Sequence, residues 1–368
     1  MPFPRADHRR RAAALGRDDR GPPGRPRRPP GGHVGAAARD GRRRGRERPA
    51  RGLPVTEIVV FGAFRTRPET VSERFPDDRI IPIADESALA AAAAAEVALS
   101  GNNPRRVQML LEATPKLRWY HTVSAGVENM PLSEMSRRGI VLTNNSGSYD
   151  VQIAEHVLMF VFAASRRLQL YRDRQVRHEW KDHDHQELRD ATIVVYGMGS
   201  IGTEVARLAS AVGMRVIGVR RRAAPQEGAS RVVAPEGLAD VAAEADYLAI
   251  TAPLTPATRG AVSREVIARL KPTAWIVNIA RGAIVDEVAL IEALRARKIA
   301  GAALDVFATE PLPTDSPLWS MENVILTPHT SGDSPRVQDR TLDLFAENLR
   351  RYKSGEPLLN RVDFGAGY

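Results

Sequence analysis

The sequence predicts an α/β protein whose larger part is a doubly wound parallel sheet. Apolar, strand-like segments alternate with helical patterns between residues 192 and 327, which is typical of a parallel sheet covered by helices on both faces. A glycine-rich turn joins the first of these strands to the helix that follows it. A smaller α/β region precedes this part of the chain, and one amphipathic helix follows it.

The smaller region has few strands and ends in a long apolar helix. Its predicted elements are a strand at Ile58–Phe61, an alanine-rich helix at Ser87–Val97, strands at Leu117–Val123 and Gly139–Thr143, and a helix at Val151–Arg167. The apolar length of that last helix indicates burial on several faces. Its amphipathic continuation to Arg177 predicts a projecting arm or a subunit contact.

The larger region contains six strand candidates with helical patterns between them. They are Thr192–Tyr196, Met214–Val219, Asp246–Thr251, Ala274–Ile279, Ala300–Leu304 and Val324–Leu326. A final helix is predicted at Arg336–Lys353. No apolar run approaches the ~20 residues that a membrane-spanning helix requires.

Charge divides the chain into an unusual N-terminal extension and a nearly neutral body. Residues 1–54 contain 16 Arg, no Lys and 5 acidic residues, whereas the remainder carries 37 basic and 39 acidic residues. The extension is rich in Arg, Pro and Gly and has almost no apolar periodicity. It cannot bury enough surface to offset its ordering entropy, so we expect it to be disordered.

Three interpretations of the extension 1–54 remain open. It binds nucleic acid or an anionic surface through its charge, it is a disordered tail without a specific partner, or it does not belong to the mature protein. The abrupt start of foldable sequence at Val55 favours the last. The chain has no Cys, which excludes disulfides and is consistent with a cytoplasmic protein.

The glycine turn has the spacing of a dinucleotide-binding fingerprint. Gly197, Gly199 and Gly202 stand between a predicted strand and a predicted helix, and a second strand follows within about 30 residues. Gly197 permits the tight turn, Gly199 lets a pyrophosphate approach the backbone, and Gly202 lets the helix pack on the strand. The phosphates would lie at the helix N-terminus. A turn that serves only packing is the alternative.

Three consecutive arginines follow the second strand of this unit. A cofactor with free ribose hydroxyls usually meets an Asp or Glu at this point, but the chain has Arg220, Arg221 and Arg222. Guanidinium groups bind phosphates through bidentate hydrogen bonds. The sequence therefore predicts NADP as the cofactor, with NAD less favoured. The alternative is that the three arginines form a solvated basic turn that binds no phosphate.

Ionisable residues also follow three later strands. Arg281 comes after the strand at Ala274–Ile279, Asp305 and Glu310 come after the next, and His329 comes after the last. In open α/β sheets, ligands bind beyond the carboxyl ends of the strands. We therefore expect an Arg, a Glu and a His at one rim of one sheet.

This set of side chains suits the reduction of a carbonyl group. Hydride that arrives at the carbon drives negative charge onto the oxygen, which requires a proton donor and a stabilising cation. His329 is the predicted donor, because histidine ordinarily titrates near neutral pH. Glu310 would orient its ring, and Arg281 would bind a carboxylate and polarise the adjacent carbonyl.

Eight short motifs together resemble the D-isomer-specific 2-hydroxyacid dehydrogenase family, over roughly residues 55–360. They are Ser124-Ala125-Gly126-Val127-Glu128, Ala154-Glu155-His156, Gly197–Gly202, Pro253-Leu254-Thr255, Asn278-Ile279-Ala280-Arg281-Gly282, Leu304-Asp305-Val306-Phe307, Glu310-Pro311 and Pro328-His329. The resemblance implies a Rossmann-type doubly wound parallel cofactor domain, 151–330, inserted in a smaller flavodoxin-like substrate domain, 55–150 plus 331–368. It also implies a homodimer.

The resemblance also assigns roles to individual residues. It implies that Arg281, Glu310 and His329 are catalytic. The substrate carboxylate would bind to Arg281 and to the turn Ser124, Ala125 and Gly126, through backbone N–H groups of that turn. The resemblance adds five cofactor-binding residues to the three glycines and three arginines above. Ser200 and Ile201 would contact the pyrophosphate, and Asp305 would hold the nicotinamide carboxamide. Pro253 and Thr258 are also implied to bind the cofactor.

The leading hypothesis is an NADP-preferring reductase of a small 2-oxoacid such as glyoxylate or hydroxypyruvate. One alternative is a cofactor-sensing binding protein similar to the corepressors of this family. Another is a dehydrogenase of a larger, phosphorylated hydroxyacid. No metal is expected: His183 and His185 lie in a polar stretch that is more typical of a solvated loop, and His156 is interpreted as a structural residue.

Overall fold

The computed structural model describes residues 54–62 and 68–367. The chain divides into two units, 1–51 and 52–368, and both sheets belong to the second. The predictions for the extension 1–54 therefore lie outside the described residues, apart from Pro54.

The first sheet has five parallel strands in the order β2-β1-β3-β4-β5. This order is that of the flavodoxin-like class of doubly wound folds. Its strands are β1 (Glu57–Phe61), β2 (Arg79–Ile83), β3 (Val97–Ser100), β4 (Trp119–Thr122) and β5 (Val141–Thr143). The helices of this part are α1 (Pro68–Arg74), α2 (Pro104–Ala113) and α3 (Leu132–Arg137), with a 3₁₀ helix at Glu86–Ala92.

The second sheet has seven parallel strands in the order β12-β11-β10-β9-β6-β7-β8. The order reverses between β6 and β9, as in the Rossmann fold. Its strands are β6 (Thr192–Tyr196), β7 (Arg215–Val219), β8 (Arg231–Val233), β9 (Tyr247–Ile250), β10 (Trp275–Asn278), β11 (Gly301–Leu304) and β12 (Val324–Leu326). The helices between them are α6 (Ser200–Ala211), α7 (Leu238–Ala242), α8 (Arg264–Arg269) and α9 (Glu287–Arg295).

Three further helices complete this unit: α4 (Asp150–Ser165), α5 (Leu168–Val176) and α10 (Val337–Ser354). Helix α10 returns to the first sheet, where Phe345 is fully buried. Its ring stacks on Trp119 at 5.0 Å and meets the edge of Phe75 at 5.3 Å between centroids. The C-terminal helix therefore belongs to the core of the five-stranded sheet although the seven-stranded sheet precedes it in sequence.

The α/β class and the six strands predicted in the larger region are confirmed. The alanine-rich helix predicted at Ser87–Val97 is wrong. Only a 3₁₀ helix forms at Glu86–Ala92, capped by the Asp85 carboxylate, and Val97–Ser100 is the strand β3. Of the predicted helix, only its last residue, Val97, pairs with both β1 and β4. The strand therefore limits the helical turn at its C-terminal end, and the helix propensity that would extend it amounts to only tenths of a kcal/mol per residue.

The predicted continuation to Arg177 is helical but not continuous with the long helix, because α4 ends at Ser165. Arg167 adopts a left-handed backbone with φ 53°, and α5 starts at the next residue. Strands β2 and β8 and helices α1, α2 and α3 have no counterpart among the predicted elements. All but α2 are short, and both strands lie at sheet edges, where several of their side chains stay exposed and no continuous apolar run is needed.

Within residues 54–62 and 68–367, no helix combines the length and the apolar character needed to cross a membrane.

Candidate active site

The glycine turn joins β6 to α6 as the sequence predicts. Gly197 has φ 111°, and a Cβ at this residue would overlap the backbone of Ala252. A Cβ at Gly202 would overlap the Gly197 carbonyl oxygen. Packing therefore explains both glycines, because neither position has room for any side chain.

Gly199 differs from the other two glycines. It caps α6 with an extended backbone at φ −85°, and a Cβ there would meet no atom within 4 Å. Neither conformation nor packing requires glycine at this point. The missing side chain leaves open space directly in front of the helix N-terminus, which is where a dinucleotide pyrophosphate binds in this fold. This cradle fits the predicted cofactor.

A cavity of about 690 Å³ opens beside this turn. Three of the residues predicted to hold the cofactor line it: Gly199, Ser200 and Arg220. The other predicted cofactor residues do not line it; they are Gly197, Ile201, Gly202, Arg221, Arg222, Pro253, Thr258 and Asp305. Ile201 packs its side chain on the core of the sheet.

Pro253 and Thr258 form one short turn after β9. The Thr258 hydroxyl donates to the Pro253 carbonyl at 2.6 Å, and the Thr255 amide donates to Thr258 Oγ1 at 2.8 Å. The turn follows the strand next to β6, so it lies at the carboxyl end of the sheet beside the glycine turn.

Asp305 is fully buried and anchors the loop that carries His329. Its carboxylate accepts hydrogen bonds from Thr327 Oγ1 at 2.5 Å and from the amides of Thr330 and Ser331, both at 2.9 Å. Its carbonyl oxygen accepts from the His329 amide at 2.8 Å. Both carboxylate oxygens therefore bind the protein's own loop, and a contact with the nicotinamide stays a prediction.

His156 joins the same network from α4. Its Nε2 lies 3.1 Å from Thr327 Oγ1 and 4.0 Å from Asp305 Oδ1. Burial lowers the pKa of His156 below its usual value, and the Asp305 carboxylate opposes that shift. This geometry agrees with the interpretation of His156 as a structural hydrogen-bonding residue.

Glu310 and His329 form a hydrogen-bonded pair at the same rim. His329 Nδ1 lies 2.7 Å from Glu310 Oε2, while Glu310 Oε1 accepts from the Phe307 amide at 3.0 Å. The carboxylate is thus fixed at one oxygen and orients the ring with the other. Because Nδ1 faces Glu310, Nε2 is left for another partner.

Arg281 extends from the end of β10 to the first sheet. Its Nε donates to Glu128 Oε1 at 2.5 Å, and one terminal nitrogen donates to the Ala280 carbonyl at 2.7 Å. The other terminal nitrogen lies against Gly126, where any Cβ would overlap it. A Cβ at Gly282 would overlap the Phe307 carbonyl, so the Arg281 loop also packs against the loop that carries Glu310.

The predicted substrate turn, Ser124 to Gly126, follows β4 and faces Arg281. The Ala125 carbonyl accepts from Asn144 Nδ2 at 3.0 Å, and the Gly126 carbonyl accepts from Asn102 Nδ2 at 3.3 Å. The amides of Ala125 and Gly126 have no acceptor among the described residues. The turn can therefore offer free N–H groups beside a guanidinium, an arrangement that suits a carboxylate.

The strands β10, β11 and β12 are neighbours in the sheet, so the loops that carry Arg281, Glu310 and His329 share one rim. Arg281 connects this rim to the first sheet through Glu128 and Gly126. The tertiary structure thus gathers a guanidinium, a carboxylate–imidazole pair and two free amides where the two sheets meet.

Several residues in this region were not among the predicted site residues. Asn102, Asn144 and Thr327 orient the loops, and Gln226 contacts Arg220. Asp150 lines the cavity, and burial raises its pKa above the usual range. Most of their partners lie on other elements of the fold, so no local pattern marks these residues. Glu128, which pairs with Arg281, is the exception, because it stands inside a motif that the sequence singled out.

Among the described residues, no group of three or more His, Cys, Asp or Glu side chains is placed to bind a metal ion. His185 lies 3.2 Å from the Tyr171 hydroxyl, and His183 contacts the neighbouring Asp184 carbonyl at 3.0 Å.

Comparison with known proteins gives one consistent result. Residues 158–331 match the model of the D-isomer specific 2-hydroxyacid dehydrogenase, NAD binding domain. The chain is 37% identical over 264 residues to a glyoxylate reductase of Korarchaeum cryptofilum, covering 69% of this chain and 78% of that protein. The chain belongs to the D-isomer-specific 2-hydroxyacid dehydrogenase family.

Solved structures agree with this family membership. A D-isomer specific 2-hydroxyacid dehydrogenase family protein from Aeromonas salmonicida aligns with a TM-score of 0.76 at 32% identity, over 84% of this chain and 100% of that one. An NADPH-dependent glyoxylate/hydroxypyruvate reductase from Sinorhizobium meliloti, in complex with NADP and sulfate, aligns with a TM-score of 0.74 at 28% identity, over 85% and 100%.

Family membership makes this dehydrogenase an oxidoreductase that acts on CH–OH groups and carries an NAD-binding domain. The chain also matches D-3-phosphoglycerate dehydrogenases, of which it spans about half the length; for that of Mycobacterium leprae the share is 49%, at 36% identity.

The three glycines of the turn should respond differently to alanine. We expect Gly199→Ala to lower the unfolding free energy by no more than about 1 kcal/mol, because alanine is a poorer N-cap than glycine, but to weaken nicotinamide dinucleotide binding at least tenfold, because the methyl group enters the cradle. Gly202→Ala should instead destabilise the protein by about 1–3 kcal/mol through overpacking. Denaturant unfolding and isothermal titration calorimetry measure the two effects. Unchanged affinity in folded Gly199→Ala would show that no phosphate approaches this residue.

Proposed function

We propose that this dehydrogenase uses NADPH to reduce a small 2-oxoacid, such as glyoxylate or hydroxypyruvate, to the D-2-hydroxyacid. The observation that carries the proposal is the Glu310–His329 pair on the same rim as Arg281, whose guanidinium lies against Gly126 in the turn that carries the two free amides. Relatives named glyoxylate reductase and NADPH-dependent glyoxylate/hydroxypyruvate reductase support the same substrate class.

The preference for NADPH is supported by the residue that ends β7. Arg220 lines the cavity beside the glycine turn, where a cofactor with free ribose hydroxyls would need an Asp or Glu. A guanidinium at this point attracts a phosphate and leaves a 2′-hydroxyl without its acceptor. Arg221 and Arg222 follow it, which adds positive charge.

The two sheets take different roles in this proposal. Residues 55–150 plus 331–368 form the substrate domain, because α10 packs on the five-stranded sheet and the turn at 124–126 follows β4. Residues 151–330 form the dinucleotide-binding domain, because they contain the glycine turn and Arg220. The reaction then takes place where the carboxyl ends of both sheets meet.

Each side chain of the site has a defined role in the reduction. The bound nicotinamide supplies a hydride. The free amides of Ala125 and Gly126 and the guanidinium of Arg281 bind the substrate carboxylate, and the same guanidinium polarises the adjacent carbonyl. His329 Nε2 carries the proton that the developing alkoxide takes. The Glu310 carboxylate holds Nδ1 of His329, so the ring keeps Nε2 directed away from Glu310 and available to the substrate.

Asp305 acts in this scheme as the anchor of the His329 loop. Its contacts with Thr327, Thr330 and Ser331 fix the backbone on both sides of His329. A catalytic geometry needs side chains held within a fraction of an ångström of their positions. The buried carboxylate supplies that rigidity without touching the substrate.

We also propose a homodimer built on α4 and α5. Val151, Met159 and Phe162 stand on an exposed strip of α4, and the next exposed apolar side chains in sequence are Leu168, Val176 and Trp180. Trp180 is fully exposed. Exposed apolar side chains repeated along successive helices are typical of a protein–protein interface, and a second copy of the chain would cover them by two-fold pairing.

A substrate and cofactor panel tests the proposed activity. We expect kcat/KM with NADPH to exceed that with NADH at least tenfold, a difference of about 1.4 kcal/mol, and glyoxylate and hydroxypyruvate to exceed 3-phosphohydroxypyruvate. Absorbance of the reduced cofactor at saturating acid gives the rates. An NADH preference would contradict the cofactor proposal, and activity confined to the phosphorylated acid would contradict the substrate proposal.

Replacement of the proposed proton donor should affect turnover alone. We expect His329→Gln to lower kcat by about 10²–10⁴-fold while the dissociation constant for NADPH stays within threefold, because the side chain acts on the substrate oxygen. Steady-state kinetics and NADPH fluorescence titration measure the two quantities. His183→Gln, at an exposed histidine of the polar stretch, is the control and should match the wild type. Turnover within tenfold of wild type in His329→Gln would exclude the role.

A charge on the exposed strip of α4 should separate the subunits. We expect wild-type protein to sediment as a dimer and Phe162→Glu to sediment as a monomer, because pairing would bury two carboxylates without partners. Val288→Glu introduces the same charge at an exposed residue of α9 and should leave the dimer intact. A wild-type monomer at micromolar concentration, or a dimeric Phe162→Glu, would contradict the proposed interface.

A further inference from the structure

Gln226 connects the helix of the glycine turn to the arginine that ends β7. Its Oε1 accepts a hydrogen bond from Arg220 Nη1 at 2.5 Å, and its Nε2 donates to Thr203 Oγ1 at 3.1 Å. Thr203 lies in the first turn of α6, three residues after Ser200. The side chains of Gln226, Arg220 and Thr203 line the cavity of about 690 Å³ that Gly199 and Ser200 also line.

The orientation of this amide follows from its two partners. A guanidinium has only donors, so the carbonyl oxygen of Gln226 must face Arg220. The amide nitrogen then faces the Thr203 hydroxyl, which can accept. The side chain of Gln226 is therefore held at both ends, and it ties Arg220 to a helix whose N-terminus is fixed by the packing of Gly197 and Gly202.

The neutrality of Gln226 matters as much as its position. Among the described residues, no carboxylate lies within ion-pair distance of Arg220. Two acids share the cavity wall, Asp150 and Glu204, and neither forms an ion pair with Arg220. Glu204 is held by Arg207 through two hydrogen bonds of 2.6 and 2.8 Å. An amide thus orients the Arg220 guanidinium without cancelling its charge, whereas a carboxylate at residue 226 would neutralise it.

We propose that Gln226 is a positioning residue that sets cofactor specificity by holding the Arg220 guanidinium toward a phosphate monoester on the adenosine ribose. The proposal rests on the NADPH preference proposed above. Thr203 anchors the Gln226 side chain to α6, and Arg220 is the residue that contacts the ligand. A guanidinium held in one conformation loses less side-chain entropy when it binds a phosphate.

The decisive experiment measures binding rather than turnover. Calorimetry gives the dissociation constants of NADP⁺ and NAD⁺ for the full chain, and 2′,5′-ADP and 5′-AMP serve as probes of the adenosine end alone. We expect Gln226→Glu, which has the same shape and one negative charge, to weaken NADP⁺ and 2′,5′-ADP at least tenfold. The constants for NAD⁺ and 5′-AMP should stay within threefold, because those ligands lack the phosphate.

Two further variants separate charge from position. Thr203→Val removes the hydroxyl that anchors Gln226 and leaves every charge in place. We therefore expect NADP⁺ binding to weaken three- to tenfold while the dissociation constant for NAD⁺ stays unchanged. Gln108→Glu adds the same charge on the exposed face of α2, away from the cavity, and should alter neither ligand. Thermal melting of the unliganded variants compares their folding. If Gln226→Glu does not fold, the ratio of the NADP⁺ and NAD⁺ dissociation constants in Thr203→Val tests the proposal.

The outcomes distinguish the two levels of the proposal. Wild-type protein that binds NAD⁺ more tightly than NADP⁺ would overturn the proposed cofactor preference. Wild-type protein that prefers NADP⁺, with the same ratio of the two constants in Gln226→Glu and Thr203→Val, would overturn the role of Gln226 and leave the cofactor preference standing.

Discussion

The buried carboxylate of Asp305 is the interaction on which the geometry of the rim depends. A charged oxygen without exposure to water must be compensated by hydrogen bonds, since an unpaired one costs several kcal/mol. Asp305 meets this requirement with donors from residues 327, 330 and 331. These donors flank His329, so the demand of one buried charge fixes the loop that presents the imidazole.

Contacts between the two sheets are of a different kind. The Arg281–Glu128 pair joins them, yet the two side chains retain 31% and 24% of their exposure. Ion pairs in contact with solvent typically contribute about 0–1 kcal/mol. The pair therefore directs the guanidinium rather than binding the halves together. Their attachment comes instead from the chain itself, which crosses at α4 and returns as α10 to bury Phe345 between Trp119 and Phe75.

Sequence reasoning succeeded where the pattern is local and failed where pairing is distant. The central strands of the seven-stranded sheet are apolar, buried and separated by glycines or helices, so their sequences identify them. The segment 87–97 misled because alanine favours a helix, whereas the start of strand β3 at Val97, set by its pairing with β1 and β4, is invisible in the sequence. For the same reason Gln226, Asn102 and Asn144 carry no signal, since each acquires its meaning from a partner on another element.

The sequence by itself determined the fold class, the glycine turn, the arginines after β7, and the order in which an Arg, a Glu and a His follow three successive strands. These features depend on local spacing and on the rule that parallel strands present their carboxyl ends together. Only the tertiary structure decided that Glu310 binds His329, that Arg281 reaches Gly126, and that Gly199 alone among the three glycines faces open space. Those facts depend on which loops pack against each other, and close packing between residues far apart in the chain leaves no periodic trace in the sequence.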